Sequence, residues 1–244
     1  MSEQDGGRRE ITVEKRARVG GEGAMRIVVE DGKVADVQLR IYEPARFFEA
    51  LLRGRGHIEP PDITSRICGI CPVAYQMSAV LALEDALGVT VPEPVRRLRR
   101  LLYCGEWLQS HALHVVLLHA PDFLGYPSGI AMAADHPQVV EDGLALKKAG
   151  NALIEAIGGR PVHPINVRVG GFYRAPTRRE LAPVAEHLKR AREFAREAVG
   201  WTAELPCPDH EEDFEFVAPR DPDGHAIEAG RQAPRSGPPL APCA

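Results

Sequence analysis

Beyond Pro44 the apolar residues stop alternating and begin to recur every three or four positions, a change of period that narrows the possible folds sharply. Before it, Ile11 and Val13, then Met25, Ile27 and Val29, then Val34, Val37, Leu39 and Ile41 follow a strand-like pattern. Asp31-Gly32 between the last two runs is a hairpin turn signal, so a small antiparallel sheet starts the chain. After Pro44, Phe47, Phe48, Leu51 and Leu52 line one helix face that ends at Gly54. Pro60-Pro61 reads as an extended loop. Pro72 suits the first turn of a helix carrying Val73, Met77, Val80, Leu81 and Leu87, with Gly88 as its stop. A long helix follows Pro92, with Val95, Leu98, Leu101, Leu102, Leu108, Leu113, Val116 and Leu117 as its stripe, and Pro121 ends it. Further helices are predicted over 137–157 and 177–200. Between them Val162 to Val169 alternates like a strand and closes on Gly170-Gly171. The fold class is α+β, mainly helical: a small N-terminal antiparallel sheet, then a long-helix bundle. Residues 1–10 read as a disordered tail, 11–205 as the folded domain, and 206–244 as an irregular tail dominated by proline, glycine and charge.

The 244 residues are 44% hydrophobic and 26% charged, enough for a sizeable core. A formal net charge of −4 argues against a nucleic-acid or membrane-surface binder. The basic run Arg96-Arg97-Leu98-Arg99-Arg100 lies in a helical pattern beside Glu93 and Glu106 and reads as a solvated face. There is no apolar run long enough to span a membrane and no secretory pattern at the N-terminus. The five cysteines are odd in number and include one tight pair, which fits a reducing cytoplasm better than a disulfide scaffold.

Arg66-Ile67-Cys68-Gly69-Ile70-Cys71-Pro72 carries the chemistry. Two thiols three residues apart bind one soft metal ion, form one redox disulfide, or are simply two small buried residues. At the start of a helix, backbone N–H groups and the helix dipole favour the thiolate. A thioredoxin-like site would need a preceding strand, and a zinc ribbon a second close CxxC; neither is present. What remains is an open-sided centre with further ligands from elsewhere. Glu49 sits on a helix with Phe47 and Phe48, either a surface glutamate or a site residue. His111 and His114 share a helix face and read as packed or hydrogen-bonded histidines. Cys104 reads as core, and Gly159 to Pro164 as a rigid turn presenting Arg160 and His163.

Arg66 to Pro72, continuing Val73-Ala74-Tyr75-Gln76-Met77-Ser78, resembles the N-terminal metal-binding motif of nickel–iron hydrogenase large subunits. It looks nearest to the cytoplasmic, NAD(P)-linked or sulfhydrogenase branch. Arg18 to Gly23, Tyr42 to Glu49, Pro61 to Thr64, His111 to Leu124 and Val162 to Gly171 also look like family segments in family order. The resemblance implies an incomplete large-subunit fold and reversible oxidation of dihydrogen. Nickel would be present, with iron bearing cyanide and carbon monoxide. Cys68 would be a terminal nickel ligand and Cys71 a nickel–iron bridge. Glu49 would bind magnesium, and His163 would be a supporting residue. Implied partners are a small subunit with iron–sulfur clusters, flavin- and NAD(P)-binding subunits, and maturation proteins.

Three departures qualify the resemblance. The family's other two cysteines come from an Asp-Pro-Cys-x-x-Cys motif far beyond residue 244. Pro242-Cys243 imitates its beginning only, so the chain reads as an N-terminal portion. The family's Arg-Val-Glu-Gly reads Arg18-Val19-Gly20-Gly21, so the proton-relaying glutamate is replaced and Glu22, two residues on, is the substitute candidate. Tyr75 stands where many relatives have histidine, which fits the NAD(P)-linked branch. The isolated chain is expected neither to assemble nor to turn over the complete centre. The alternatives are a non-catalytic scaffold or binding remnant, or a metal-free relative, against which the cysteine pair counts.

Overall fold

The computed structural model describes residues 4–5, 7–14, 23–42, 46–207, 209–213, 216–220 and 231–235, and the chain divides into two compact units, residues 1–51 and 52–244. In the first unit, β1 (Gln4–Asp5), β2 (Arg8–Val13), β3 (Gly23–Glu30) and β4 (Lys33–Ile41) form an antiparallel sheet in that order. The β3–β4 turn is the expected one. Asp31 at φ 49° and Gly32 at φ 76° both take the left-handed conformation that a two-residue hairpin requires. Pairing starts earlier than the alternation predicts, at Gln4 with Arg9, because the polar residues of this segment can pair through the main chain without burying a face. Ala24 and Val28 are the buried positions of β3. The unit ends in α1 (Phe47–Leu52), which buries none of its residues and continues one residue beyond the unit's boundary.

The second unit is helical. Pro60-Pro61 does not make the extended loop that the sequence predicts. Both prolines sit in the first turn of α2 (Pro60–Thr64), where no intrahelical N–H is needed and φ is already helical. A 3-10 turn over Ser65–Ile67 leads to Cys68, whose backbone is extended, and then to α3 (Pro72–Leu87). As expected, Pro72 opens α3 and Gly88, at φ 65°, closes it. The long helix is α4 (Glu93–Ala112). It runs on through a π-helical stretch, Leu113–His119, into α5 (Ala120–Phe123), so Pro121 starts a helical segment instead of ending one. After α6 (Gly129–Met132) come α7 (Pro137–Gly158), the short hairpin β5 (Val167–Arg168) and β6 (Gly171–Phe172), and α8 (Arg178–Ala203). Within Val162–Val169 only two residues are strand, because a loop around Asn166 takes the rest of the backbone bonds: Tyr173 N–H donates to Asn166 O. A Thr177–Glu180 capping box fixes the start of α8. Phe216–Arg220 (β7) and Arg231–Arg235 (β8) pair antiparallel within the segment whose composition predicts an irregular tail.

The helices pack as a layered bundle, α4 against α7 and α7 against α8. Val73, Met77 and Val80 of α3 meet Leu102 of α4 and Leu153, Ile154 and Ile157 of α7 in the main core. Val73, at the start of α3, is fully buried in that core, so the Cys68–Cys71 turn leads directly into packed structure.

Candidate metal centre

The cysteine turn is built by two neighbouring breaks in regular structure. Cys68 ends the 3-10 turn in an extended conformation, and Cys71 is the N-cap of α3. Their Cα atoms are 5.4 Å apart and their sulfurs converge as a disulfide pair. The Cys71 N–H also donates to Cys68 Sγ at 3.2 Å. Both side chains are partly exposed. Once reduced, the pair is two thiolates on one side of a tight turn at a helix N-terminus, a donor set suited to a soft metal ion. It has the chemistry of a half-site for nickel and iron. Among the described residues, no group of three or more His, Cys, Asp or Glu side chains gathers around a common point.

Helix α4 supports this turn from beneath. Glu106, 2% exposed, accepts the Val73 N–H at 2.6 Å and the Ala74 N–H at 3.1 Å, the first free amides of α3. Gln109, one turn further on, donates from Nε2 to the carbonyl of Ile70, between the two cysteines. Opposite the turn, His163 takes φ 51° and its Nδ1 lies 2.7 Å from Ser65 O, while Gln76 Nε2 donates to Pro164 O at 2.8 Å. Burial pushes the Glu106 carboxyl up to about 7, against the pull of the two amides. A carboxyl raised in the folded state favours folding below its unfolded value of 4.5, and that contribution is lost as pH rises toward 7. At about 1.4 kcal/mol per pH unit, ionisation of Glu106 removes roughly 3 kcal/mol of stability across this interval. Urea unfolding at several pH values should show this slope in the native sequence and its loss in Glu106→Gln.

Residues 46–141, which contain the whole turn and its α4 support, match the nickel-dependent hydrogenase family. The alpha subunit of sulfhydrogenase 2 from Pyrococcus furiosus is 47% identical over 190 residues, which is 78% of this chain and 46% of that protein. Residues 46–141 form a nickel-dependent hydrogenase domain. The alpha subunit of sulfhydrogenase 1 from the same organism is 37% identical, covering 74% of this chain and 42% of that protein. Among solved structures, an NAD+-reducing NiFe hydrogenase in its dihydrogen-reduced state superposes with a TM-score of 0.76 at 32% identity, over 81% of this chain and 46% of that one. The chain therefore spans less than half the length of these relatives, and its fold is the corresponding part of a hydrogenase large subunit.

Within this hydrogenase domain, Cys68 and Cys71 come together as the sequence predicts. Glu49 belongs to the N-terminal unit, where it is exposed and pairs with Arg46 at 3.5 Å. Glu22, with Arg18 to Gly21, lies outside the described residues. His114 is bonded within its own helix, 2.7 Å from Ser110 O, and stacks on His119; His111 is exposed and tilts against Trp107. Cys104 is partly buried and unpaired. The solvated reading of the basic run is overturned at two positions. Arg96 and Arg97 do pair with Glu93 at the surface, but Arg99 is 2% exposed and Glu106 equally so. Both are in helical phase with Leu102, which was the available signal. No helix of the described residues is long and apolar enough to cross a membrane.

Proposed function

We propose that this chain supplies two of the cysteine ligands of a nickel–iron centre in a hydrogenase that oxidises dihydrogen reversibly, with electrons passed to NAD(P). The observation that carries this reading is the convergence of Cys68 and Cys71 at the N-terminal end of α3, inside the segment matched to the family. The similarity to an NAD+-reducing hydrogenase favours NAD(P) as acceptor, and the odd cysteine count with one tight pair favours a reducing, cytoplasmic location. Cys68 and Cys71 would hold the group through their thiolates, Cys68 as a ligand of nickel and Cys71 as a ligand shared with iron. The remaining two thiolates, the cyanide and carbon monoxide on iron, and the iron–sulfur and flavin cofactors of partner subunits complete the assembly. Glu49 is proposed as a magnesium ligand and Glu22 as a proton relay in place of the glutamate missing at Gly20.

When bound, the centre supplies a Lewis-acidic, redox-active position at which dihydrogen is polarised and split into unlike halves. The chain's own part is to present two thiolates and to keep them deprotonated beside the helix N-terminus. It also holds their spacing through α4 and the His163 turn.

The test uses reduced chain and nickel(II) alone under anaerobic conditions. Thiolate-to-nickel charge-transfer absorption should appear with the native chain and with a Cys104→Ser/Cys207→Ser variant. It should be abolished in Cys68→Ser and in Cys71→Ser. Equal absorption in the Cys68→Ser/Cys71→Ser variant would sink the assignment.

A further inference from the structure

Two polar side chains buried in α4 meet the cysteine turn, one turn of helix apart, and neither belongs to the donor set. Gln109 is 5% exposed, and its Nε2 holds the Ile70 carbonyl, which belongs to the peptide that joins Ile70 to Cys71. The Glu106 carboxylate spans the Val73 and Ala74 amides, which follow directly on Cys71-Pro72. One contact fixes the loop between the sulfurs and the other fixes the helix that carries the second sulfur. Hydrophobic packing alone does not need either group. A buried amide and carboxyl are costly unless bonded, and leucines would fill the same stripe beside Leu102 and Leu108. Their backbone targets bracket the second cysteine: Ile70 lies in the turn just before Cys71, and Val73 and Ala74 lie in the first turn of α3 just after it. Lys147 Nζ, 3.4 Å from Gln109 Oε1, orients the Gln109 amide so that its NH2 end faces Ile70.

We infer that Glu106 and Gln109 are positioning residues, a two-point clamp that sets the separation and direction of the Cys68 and Cys71 sulfurs before any metal arrives. The inference rests on the proposed metal-centre reading for its purpose, but not for its geometry. Residues that orient ligands from behind typically change metal affinity by about 10- to 100-fold when removed. The clamp acts on the apo turn as well, so it governs how readily the two sulfurs meet in a disulfide.

Two readouts on the 244-residue chain separate these points. Nickel(II) affinity is measured by competition with a chelator, following the charge-transfer band. The Cys68–Cys71 dithiol–disulfide equilibrium is measured without metal in glutathione redox buffers. Gln109→Met keeps length and volume but removes the donor; Glu106→Gln keeps shape but faces one amide with an NH2 group. Each should weaken nickel binding by about tenfold or more and shift the glutathione equilibrium toward the dithiol. Thr177→Ala, which weakens the fold at the distant start of α8, should leave both readouts unchanged. Native-like values for folded Gln109→Met in both assays would overturn the clamp, and Gln109→Met carries the test alone if Glu106→Gln does not fold. If the native chain binds no nickel through thiolates but the variants still shift the glutathione equilibrium, the clamp stands and the metal-centre reading fails.

Discussion

Arg99→Met should lower the stability of this chain by about 3–5 kcal/mol, the cost of leaving one partner of a buried ion pair uncompensated. The guanidinium of Arg99 meets Glu84 in a two-point bond, Nη1 to Oε2 at 2.8 Å and Nη2 to Oε1 at 2.6 Å. Both side chains are nearly excluded from water, at 2% and 6% exposure. Glu84 Oε1 also accepts the Gly170 N–H at 2.7 Å, so the pair ties α3 and α4 to the β5–β6 turn. Without Arg99 the carboxylate keeps only that amide. In a chain of this size the loss corresponds to a fall of roughly 10 °C in Tm. A Glu84→Leu/Arg99→Met double variant should recover much of it, because two apolar side chains remove the unpaired charge. A Tm for Arg99→Met within about 3 °C of native would show that the pair is solvated in solution.

The same residue marks how far the sequence could be read. Periodicity and turn chemistry located the sheet, the Asp31-Gly32 hairpin, the Pro72 and Gly88 ends of α3, and the helices now seen as α7 and α8. Each is a local signal, decided by a few neighbouring residues. Arg99 and Glu106 were read as solvated because charge is normally exposed. Their burial depends on Glu84, fifteen residues back, and on the first turn of α3, more than thirty residues back. Such partners are set by tertiary packing, which a single sequence does not display. Pro60-Pro61 failed for another reason: at a helix start proline is compatible with helix, and the pair alone does not distinguish start from loop. The cysteine turn was legible as chemistry, because its residue types are unusual. Its supporting residues were not, since a glutamate and a glutamine in a helix are ordinary.

Glycine substitutions in two helices should shift stability in opposite directions. Gly150 lies where α7 crosses α4. A Cβ there would stand 2.6 Å from the Gln109 backbone nitrogen and 2.7 Å from the Gly105 carbonyl oxygen, both rigid main-chain atoms of α4. Gly200, in α8, is exposed and has nothing within 4 Å of where its Cβ would be. Alanine favours helix over glycine by about 1 kcal/mol at either position, so only the surroundings differ. Gly200→Ala should therefore gain up to about 1 kcal/mol. At Gly150 the two helices must separate, and overpacking of this kind costs about 1–3 kcal/mol or more, exceeding the gain. Because the obstructed backbone atom is that of Gln109, the strain also moves the side chain that holds Ile70. Gly150→Ala is therefore expected to lower both the urea midpoint and nickel(II) affinity, whereas Gly200→Ala raises the first and leaves the second alone. A Gly150→Ala chain as stable as Gly200→Ala would mean that α4 and α7 do not approach this closely in solution.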